Sequence, residues 1–300
     1  MRRGRMALQA GLMTLAAGCA AEDGAAPAEI TPDGGWYDSL WVAPDGQTAL
    51  FMYARYDFFP AILEGKAPVL SGPSLPGHHG NDANPWDDSD LYLMTRQPDG
   101  SWSVPVNLPV NDGSADCCAM MAGDELFYQK GTDLFIAVHG PDGWSVPEAL
   151  GLNSAAVDTN PHFDPATGTL YWASERGGNL DLWQAQRTGF NAWTEPAPLP
   201  GAVNTPARED QPFVADGRMR FSRDDEAGNL VAELQDGGWS HGTPEPLGFA
   251  GYHAEVSLSA DGTTAWFVGA DLDRHRLLFL ESTRQADGSW GPAEEMVIGE

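Results

Sequence analysis

Short apolar segments recur along this chain, and turn residues separate them. Each segment is four or five residues long and rich in aromatic and branched side chains, and Asp-Gly or a similar turn precedes it. Segments this short are typical of strands, because helices need longer stretches with a 3.6-residue period. The clearest examples are Ala49 to Tyr53, Glu125 to Tyr128, Leu170 to Ala173, Met219 to Ser222 and Ala265 to Val268.

A second pattern is a tryptophan that follows a glycine or asparagine turn, with a proline a few residues later. The units are about 40 to 50 residues long, the length typical of propeller blades. Proline inside the segment that begins at the tryptophan fits an edge strand, which need not donate every hydrogen bond. The tryptophans are Trp102, Trp144, Trp193, Trp239 and Trp290, and the prolines are Pro105, Pro147, Pro196, Pro244 and Pro292.

Each unit contains four strand-like segments, and tight turns connect the first to the second and the third to the fourth. Two-residue Asp-Gly turns suit antiparallel hairpins because glycine adopts positive φ without a Cβ clash. Four strands in each of five units predict an all-β protein, a five-bladed β-propeller of four-stranded antiparallel blades. We expect this single domain to occupy residues 36–300.

The N-terminus has the pattern of a secretory signal. Arg2, Arg3 and Arg5 precede a mildly apolar run, which ends at small residues before Cys19. The run resembles a bacterial lipoprotein signal, which predicts a signal peptide over 1–18, acylation of Cys19 and a tether over 19–35. It implies an envelope protein, periplasmic or at the surface, with outer-membrane anchoring favoured. The alternative is an ordinary signal peptide with an incidental Cys19.

The repeats resemble the TolB-like, WD-repeat-like β-propeller family of bacterial envelope proteins. The motif residues are clearest at 181–183, 193–196, 203–212 and 216–217, and the resemblance covers roughly residues 36 to 297. It implies the propeller architecture. Activity is a separate question, because propellers of this kind host unrelated functions.

Charge excludes one class of partner. The 43 Asp and Glu against 16 Lys and Arg give a formal net charge of -27. Such a surface repels nucleic acid, whose binding relies on clustered basic side chains. We therefore expect no nucleic-acid partner. We also expect a monomer that contacts the membrane only through the anchor.

The loop between the second and third strands of blade 1 is far longer than its counterparts. In a four-stranded blade this loop emerges on the same face as the links between blades, opposite the tight hairpins. Long loops inside compact domains usually bind or cover something, although a proline-rich spacer is the alternative. Its candidate ligand-binding residues are His78, His79 and Trp86.

Acidic residues recur near the start of each first strand, close to the expected central channel. A ring of carboxylates there would hold Ca²⁺ or bind a cationic or polyhydroxylated ligand. Alternatively, each carboxylate bonds backbone amides and joins adjacent blades. The residues are Asp38, Asp116, Asp158, Glu209, Asp210 and Glu255.

Two other residue types carry candidate chemistry. His162 and His253 lie at first-strand positions, where they would join His78 or His79 in a transition-metal site, although no local ligand spacing supports one. Cys117 and Cys118 are adjacent, so they either form a vicinal disulfide or pack as two thiols.

Two functions remain open. The first is a non-catalytic envelope lipoprotein that binds a protein, peptide or glycan on its acidic, loop-rich face. The second is a carbohydrate-active hydrolase, or a metal-dependent enzyme, with Asp38, Asp210 and Glu255 as the carboxylates. The missing nucleophile elbow and phosphate-loop motifs favour the first.

Overall fold

The structure is a computed structural model in which residues 30, 31 and 34–297 are described. The signal peptide, Cys19 and most of the tether lie outside the described residues. Five antiparallel sheets follow one another along the chain, so the predicted all-β, five-bladed propeller is confirmed. No helix within the described ranges is long and apolar enough to cross a bilayer.

Blade 1 has four strands and an insertion between the second and the third. Its sheet order is β1-β2-β5-β6, and a separate hairpin, β3-β4, belongs to the insertion. In chain order the elements are β1 (Trp36–Val42), β2 (Thr48–Ala54), β3 (Tyr56–Asp57), α1 (Phe59–Glu64), β4 (Val69–Leu70), a 3-10 turn (Pro85–Asp87), β5 (Asp90–Thr95) and β6 (Val106–Asn107).

The other blades repeat the same antiparallel order. Blade 2 contains β7 (Asp116–Ala122), β8 (Glu125–Lys130), β9 (Asp133–Gly140), β10 (Gly143–Trp144) and β11 (Glu148–Ala149). Blade 3 contains β12 (Asp158–Asp164), β13 (Thr169–Ser174), β14 (Asp181–Gly189), β15 (Ala192–Trp193) and β16 (Ala197–Pro198). Blade 4 contains β17 (Glu209–Ala215), β18 (Arg218–Arg223), β19 (Leu230–Gln235), β20 (Gly238–Trp239) and β21 (Thr243–Pro244). Blade 5 contains β22 (His253–Leu258), β23 (Thr264–Asp271), β24 (Arg276–Thr283) and β25 (Glu294–Glu295).

The outermost strands are discontinuous, as expected for edge strands that contain proline. In blade 2, β10 and β11 both pair with β9, and Pro147 lies between them. Blades 3 and 4 have the same split. Proline lacks the N–H that a continuous ladder of hydrogen bonds needs. At the edge of a sheet this loss is tolerated, because no buried carbonyl group depends on that N–H.

Each innermost strand carries a β-bulge at the same place. The pairing register shifts after the second or third residue of the strand, between Asp38 and Trp41 in blade 1 and at matching positions elsewhere. One non-glycine residue in each bulge has φ between 49° and 58°, in the left-handed region that such residues uncommonly occupy. These five residues are Ser39, Cys118, Asn160, Gln211 and Glu255.

Packing between blades 5 and 1 closes the ring. The Tyr37 and Phe279 rings lie edge to face with centroids 6.5 Å apart, and the backbone N–H of Val42 donates to Oγ of Ser257 at 3.0 Å. Ile30 is 2% exposed beside them. All four strands of blade 5 come from consecutive chain, so within the described residues no N-terminal strand completes the last blade.

Candidate functional site

The bulges turn five polar side chains toward the axis of the propeller. We call Ser39, Cys118, Asn160, Gln211 and Glu255 the channel ring. The residue before each is also polar in four blades, namely Asp38, Cys117, Thr159 and Asp210, and is Ala254 in the fifth. Polar groups from all five blades therefore meet at the bulges. In an uninterrupted strand, successive side chains would instead point to opposite faces of the sheet.

Hydrogen bonds connect the polar side chains of neighbouring blades around the channel. Asn160 donates through Nδ2 to Oδ1 of Asp210 at 2.8 Å, and Gln211 donates through Nε2 to Oε1 of Glu255 at 2.9 Å. Oγ of Ser39 and Sγ of Cys118 lie 3.5 Å apart. These contacts join the inner strands directly.

Asp38 and Glu255 come from different blades and form a carboxyl pair. Their side chains are hydrogen-bonded to each other. Because carboxylates only accept hydrogen bonds, this contact requires one proton between them. Burial raises the pKa of both carboxyl groups, and the charge of Asp38 raises that of Glu255 further, so the pair retains that proton. Nε1 of Trp36 donates to Oδ2 of Asp38 at 2.9 Å and stabilises its ionised form.

Asp210 is the third carboxyl group of the channel. Burial raises the pKa of Asp210 to about 6, although the N–H of Gln211 and the amide of Asn160 oppose the shift. Burial and the charges of Glu255, Asp38 and Asp210 raise the pKa of Tyr252 to about 12. None of the three carboxyl groups forms an ion pair with a basic side chain among the described residues.

A small cavity lies between the channel ring and the hairpin end of the inner strands. Its volume of about 60 Å³ holds about four water molecules. One end is polar and contains the channel ring, whereas Trp41, Met120, His162 and Phe213 line its walls. Burial lowers the pKa of His162 to about 4, so this imidazole is neutral near pH 7.

The two cysteines face the channel as free thiols. Their sulfur atoms lie 2.7 Å apart without a bond, and Sγ of Cys117 donates to Oε1 of Gln129 at 3.3 Å. The contact with Cys118, and then burial, raises the pKa of Cys117 well above its usual value. The pair therefore adopts the second of the two predicted arrangements, packed thiols.

The six acids predicted near the channel fall into two groups. Asp116, Asp158 and Glu209 begin their strands and are fully buried away from the channel ring. Asp158 accepts from Nε1 of Trp172 at 3.0 Å, and Glu209 accepts from Nε of Arg223 at 2.8 Å. Each of the three also accepts a backbone N–H from the link before its strand, donated by Asp112, Ser154 and Thr205, as in the structural alternative. Asp116 thus lies outside the group it was predicted to join.

His78, predicted as a ligand residue, instead holds the insertion, residues 55–89, against blade 1. Its Nε2 lies 3.1 Å from Oδ1 of Asp88, and its Nδ1 lies 3.2 Å from the Tyr92 hydroxyl. Arg55 donates through Nη2 to Oδ2 of Asp88 at 2.5 Å. Burial alone would raise the pKa of Asp88, but the bonds from His78 and Arg55 outweigh burial and lower it.

Of the other two residues predicted in the insertion, His79 contacts blade 1 and Trp86 is exposed at the surface. Nδ1 of His79 lies 3.1 Å from Oδ2 of Asp90, which anchors the loop. Trp86 is 55% exposed and stacks on Phe58 with ring centroids 4.6 Å apart. Phe58 packs edge to face on Trp36 at 5.6 Å, next to the channel carboxyl of Asp38. The insertion thus extends from the blade 1 rim to the mouth of the channel.

The three histidines considered for a metal site do not converge. Nε2 of His162 lies 3.1 Å from the Val214 carbonyl, and the two ring nitrogens of His253 contact the carbonyls of Gly251 and Glu245. Among the residues that the structure describes, no group of three or more His, Cys, Asp or Glu side chains is arranged to hold a metal ion. These residues therefore do not form the three-ligand centre that calcium or a transition metal would need.

The amide members of the site were not among the residues predicted from the sequence. Asn160 and Gln211 lie in the channel ring, and Gln129 contacts Cys117 and Thr159. The sequence feature that marks them is a pair of consecutive polar residues at the same place in four inner strands. A regular strand with one buried face would alternate polar and apolar residues there. That signal becomes visible when the strands are aligned on their first buried acid.

The fold and the site together define a five-bladed propeller with a polar, carboxyl-rich central channel. No protein-family model matches the chain, and a search of curated proteins found no match. Similar solved structures include an endo-1,4-beta-xylanase from Bacteroides thetaiotaomicron, with a TM-score of 0.57 and 13% identity, covering 91% of this chain and 100% of that one. They also include TolB from Acinetobacter baumannii, with a TM-score of 0.44 and 14% identity, covering 87% and 68%. Likeness at this identity shows the fold alone.

Proposed function

We propose that this protein is an envelope-anchored β-propeller lipoprotein that binds a protein or peptide partner on its acidic, loop-rich face. One observation carries the proposal. The insertion is fixed to blade 1 by buried ionic and aromatic contacts, yet it presents large apolar side chains to solvent. A segment that is held rigid and left apolar outside is typical of a recognition surface.

The apolar side chains lie close together in the chain. Ile62 and Leu63 are on α1, Val69 and Leu70 form β4, and Trp86 stacks on the start of the helix; each is more than half exposed. Single exposed apolar residues are common in soluble proteins, but five within one insertion are not. Tryptophan in particular supplies large contact areas in protein interfaces.

Acidic loops of two other blades emerge on the same face as the insertion. Asp224, Asp225 and Glu226 follow the second strand of blade 4, and Asp273 follows that of blade 5, all exposed. Carboxylates on the face that carries the exposed apolar side chains favour a partner with basic residues, and they speed encounter by electrostatic attraction.

Envelope anchoring rests on the N-terminal pattern that ends at Cys19. Labelling with a radioactive fatty acid in a bacterial host tests the anchor. We expect label and membrane association in the full chain and loss of both in Cys19→Ala. Label that persists in Cys19→Ala would contradict acylation at that residue.

Binding is tested with a phage-displayed library of random linear peptides. We expect selected peptides to combine aromatic or aliphatic residues with Lys or Arg. Ile62→Asp with Leu63→Asp should weaken their binding about tenfold or more, because the charges interrupt the apolar centre. The matched control is Val146→Asp on the outer edge of blade 2, where the side chain is 83% exposed. Equal loss in both variants, or none in either, would place binding elsewhere.

The geometry supports hydrolysis less well. Glycoside hydrolases separate their two carboxyl groups by about 5–5.5 Å or 6.5–9.5 Å. Asp38 and Glu255 are instead in direct hydrogen-bond contact. We expect no release of reducing ends from xylan. Release that Glu255→Gln abolishes would establish the hydrolase in place of the binding protein.

A further inference from the structure

A cleft opens between blades 4 and 5 at the turns that join their first and second strands. These turns belong to the face opposite the insertion. The cleft has a volume of about 460 Å³, within the range of sites that bind small molecules. Its lining includes Arg218, Arg220 and Arg284. Because the whole chain has 16 Lys and Arg against 43 Asp and Glu, three arginines at one cleft are a local concentration of positive charge.

The matching seam between blades 2 and 3 joins an arginine to a carboxylate. Arg187 donates through Nη1 and Nη2 to the two carboxylate oxygens of Glu125, at 2.5 and 2.6 Å. Glu125 is the first residue of β8, and Arg187 pairs with Trp193 of its own blade. Bidentate contact of this kind is among the strongest that arginine makes with an anion.

In blade 4 an arginine takes the place of that glutamate. Arg218 is the first residue of β18, as Glu125 is of β8, and each pairs with the last residue of the inner strand before it. Arg284 in blade 5 occupies the place of Arg187, because each pairs with the tryptophan of its own blade. The seam between blades 4 and 5 therefore presents two guanidinium groups where its counterpart has a guanidinium and a carboxylate.

The guanidinium group of Arg284 is held in position but has no carboxylate of its own. Its Cζ lies 4.4 Å from the centroid of the Trp290 ring, and its Nε donates to the carbonyl of Gly262 at 3.2 Å. Its one ion-pair contact within the described residues is with Oε1 of Glu245, at 3.9 Å. Glu245 already accepts two bonds from Arg220, at 2.7 and 3.0 Å. Arg284 thus retains hydrogen-bond donors for an anion that enters the cleft.

The other two arginines also retain donors. Arg218 has one ion pair among the described residues, with Glu233 at 3.2 Å, and both side chains are about half exposed, so the pair contributes little. Arg220 is 2% exposed, and its Nη1 makes no hydrogen bond to any described residue. Its place in the other blades is taken by the apolar or aromatic residues Leu50, Phe127, Tyr171 and Trp266.

Two aspartates in the lining do not replace the missing carboxylate. Asp216 and Asp261 are exposed residues of the two turns. Within the described part of the chain, neither forms an ion pair with an arginine of the cleft. Oδ1 of Asp261 instead accepts bonds from Ser259 and Thr263 of its own turn.

We infer that this cleft binds a small organic carboxylate. The carboxylate accepts hydrogen bonds from Arg284 and Arg218, and so occupies the place that Glu125 fills between blades 2 and 3. Arg220 adds positive charge at the buried side, and Ala215 and Leu258 provide apolar surface for the body of the ligand. Because the cleft lies on the face opposite the insertion, the inference does not rest on the proposed function.

Calorimetric titration of the full chain with benzoate and with benzamide tests the inference. The two probes have nearly the same shape and differ in charge. The buffer contains no carboxylate or phosphate, and about 0.1 M sodium chloride screens the distant acidic residues. We expect benzoate to bind at least about tenfold more tightly than benzamide, because charge-assisted hydrogen bonds to arginine need the anion.

Three variants and one control locate the site. Arg284→Gln and Arg218→Gln each remove a guanidinium group and should weaken benzoate binding at least about tenfold. Arg218→Glu supplies the carboxylate that Arg284 lacks, so it should abolish benzoate binding and raise Tm. Arg208→Gln is the control, because Arg208 lies in the link before β17 and pairs with the half-exposed Glu175. If Arg284→Gln does not fold, the half-exposed position 218 still tests the site.

Four results would overturn the inference. Equal affinity for benzoate and benzamide would show an apolar cleft alone, and no heat with either probe would show a cleft that binds neither. Unchanged benzoate affinity in the folded Arg218 variants would place the anion elsewhere. Inorganic phosphate that binds more tightly than benzoate would replace carboxylate as the ligand class. None of these measurements involves the insertion, so failure here is distinguishable from failure of partner binding.

Discussion

Gln211 in blade 4 donates a hydrogen bond through Nε2 to Oε1 of Glu255 in blade 5 at 2.9 Å. Both residues have left-handed backbone conformation at the bulge of an inner strand. The bulge turns each side chain toward the axis, where blades that are distant in sequence meet. The channel is therefore a product of strain repeated once per blade, and such strain is common at functional positions.

Replacing Asp210 with Asn should change how stability depends on pH. The folded pKa of Asp210 is about 6, above its usual 3.8, so the folded protein binds more protons than the unfolded chain between these values. Stability from this group is present at low pH and is lost as pH rises through about 6. The shift corresponds to about 3 kcal/mol at most. Asn keeps an acceptor for Asn160, so we expect calorimetry to show a flatter decline in Tm from pH 4 to 7. Parallel curves of Tm against pH for the two proteins would contradict a raised pKa at Asp210.

Replacing Asp88 with Asn should release the insertion from blade 1. Asp88 is fully buried and pairs with Arg55 and His78, and removing one partner of a buried pair costs about 3 kcal/mol or more. We expect faster proteolysis within residues 60–84 and weaker peptide binding. Asp82→Asn is the control, because Asp82 contacts the same arginine but is 77% exposed, and its loss should cost less than about 1 kcal/mol. Equal protection of both variants would mean that other contacts hold the insertion.

Cys118→Ser should make Cys117 more reactive, since the contact with Cys118 is the main reason that the pKa of Cys117 is raised. More thiolate at a given pH means faster alkylation. Iodoacetamide kinetics at pH 8, in a chain that also carries Cys19→Ser, measures the change. An unchanged rate would show that the access of iodoacetamide to Cys117, and not the pKa of its thiol, limits the reaction.

Gly201→Ala should destabilise the seam between blades 3 and 4. Gly201 has φ of +102°, and an added Cβ would lie 2.2 Å from the carbonyl oxygen of Trp239. The segment must then move away from the outer strand that it pairs with, at an expected cost of about 3 kcal/mol. Gly178→Ala is the control, because φ is +92° there but no atom lies within 4 Å of the added carbon. Chemical denaturation should show a loss of about 1 kcal/mol for the control. Similar losses would mean that backbone strain alone decides.

The sequence by itself determined the architecture of this protein. Recurrent apolar segments, tight turns and five tryptophans that each follow a glycine or asparagine turn specify strand number and blade order, because each blade buries its apolar residues against the next. It also placed Asp38, Asp210 and Glu255 near the axis, since residues at equivalent positions of a repeat occupy equivalent places.

The tertiary structure decided which of the acids share a site and which support the fold. Asp116 is the first residue of its strand and Asp210 is the second residue of its own. One position along a strand reverses the direction of a side chain, and the bulge then reverses it again. His78 became a support for the insertion because Asp88 and Tyr92 lie beside it in space. Hydrogen-bond partners of this kind come from distant parts of the chain, so strand periodicity carries no information about them.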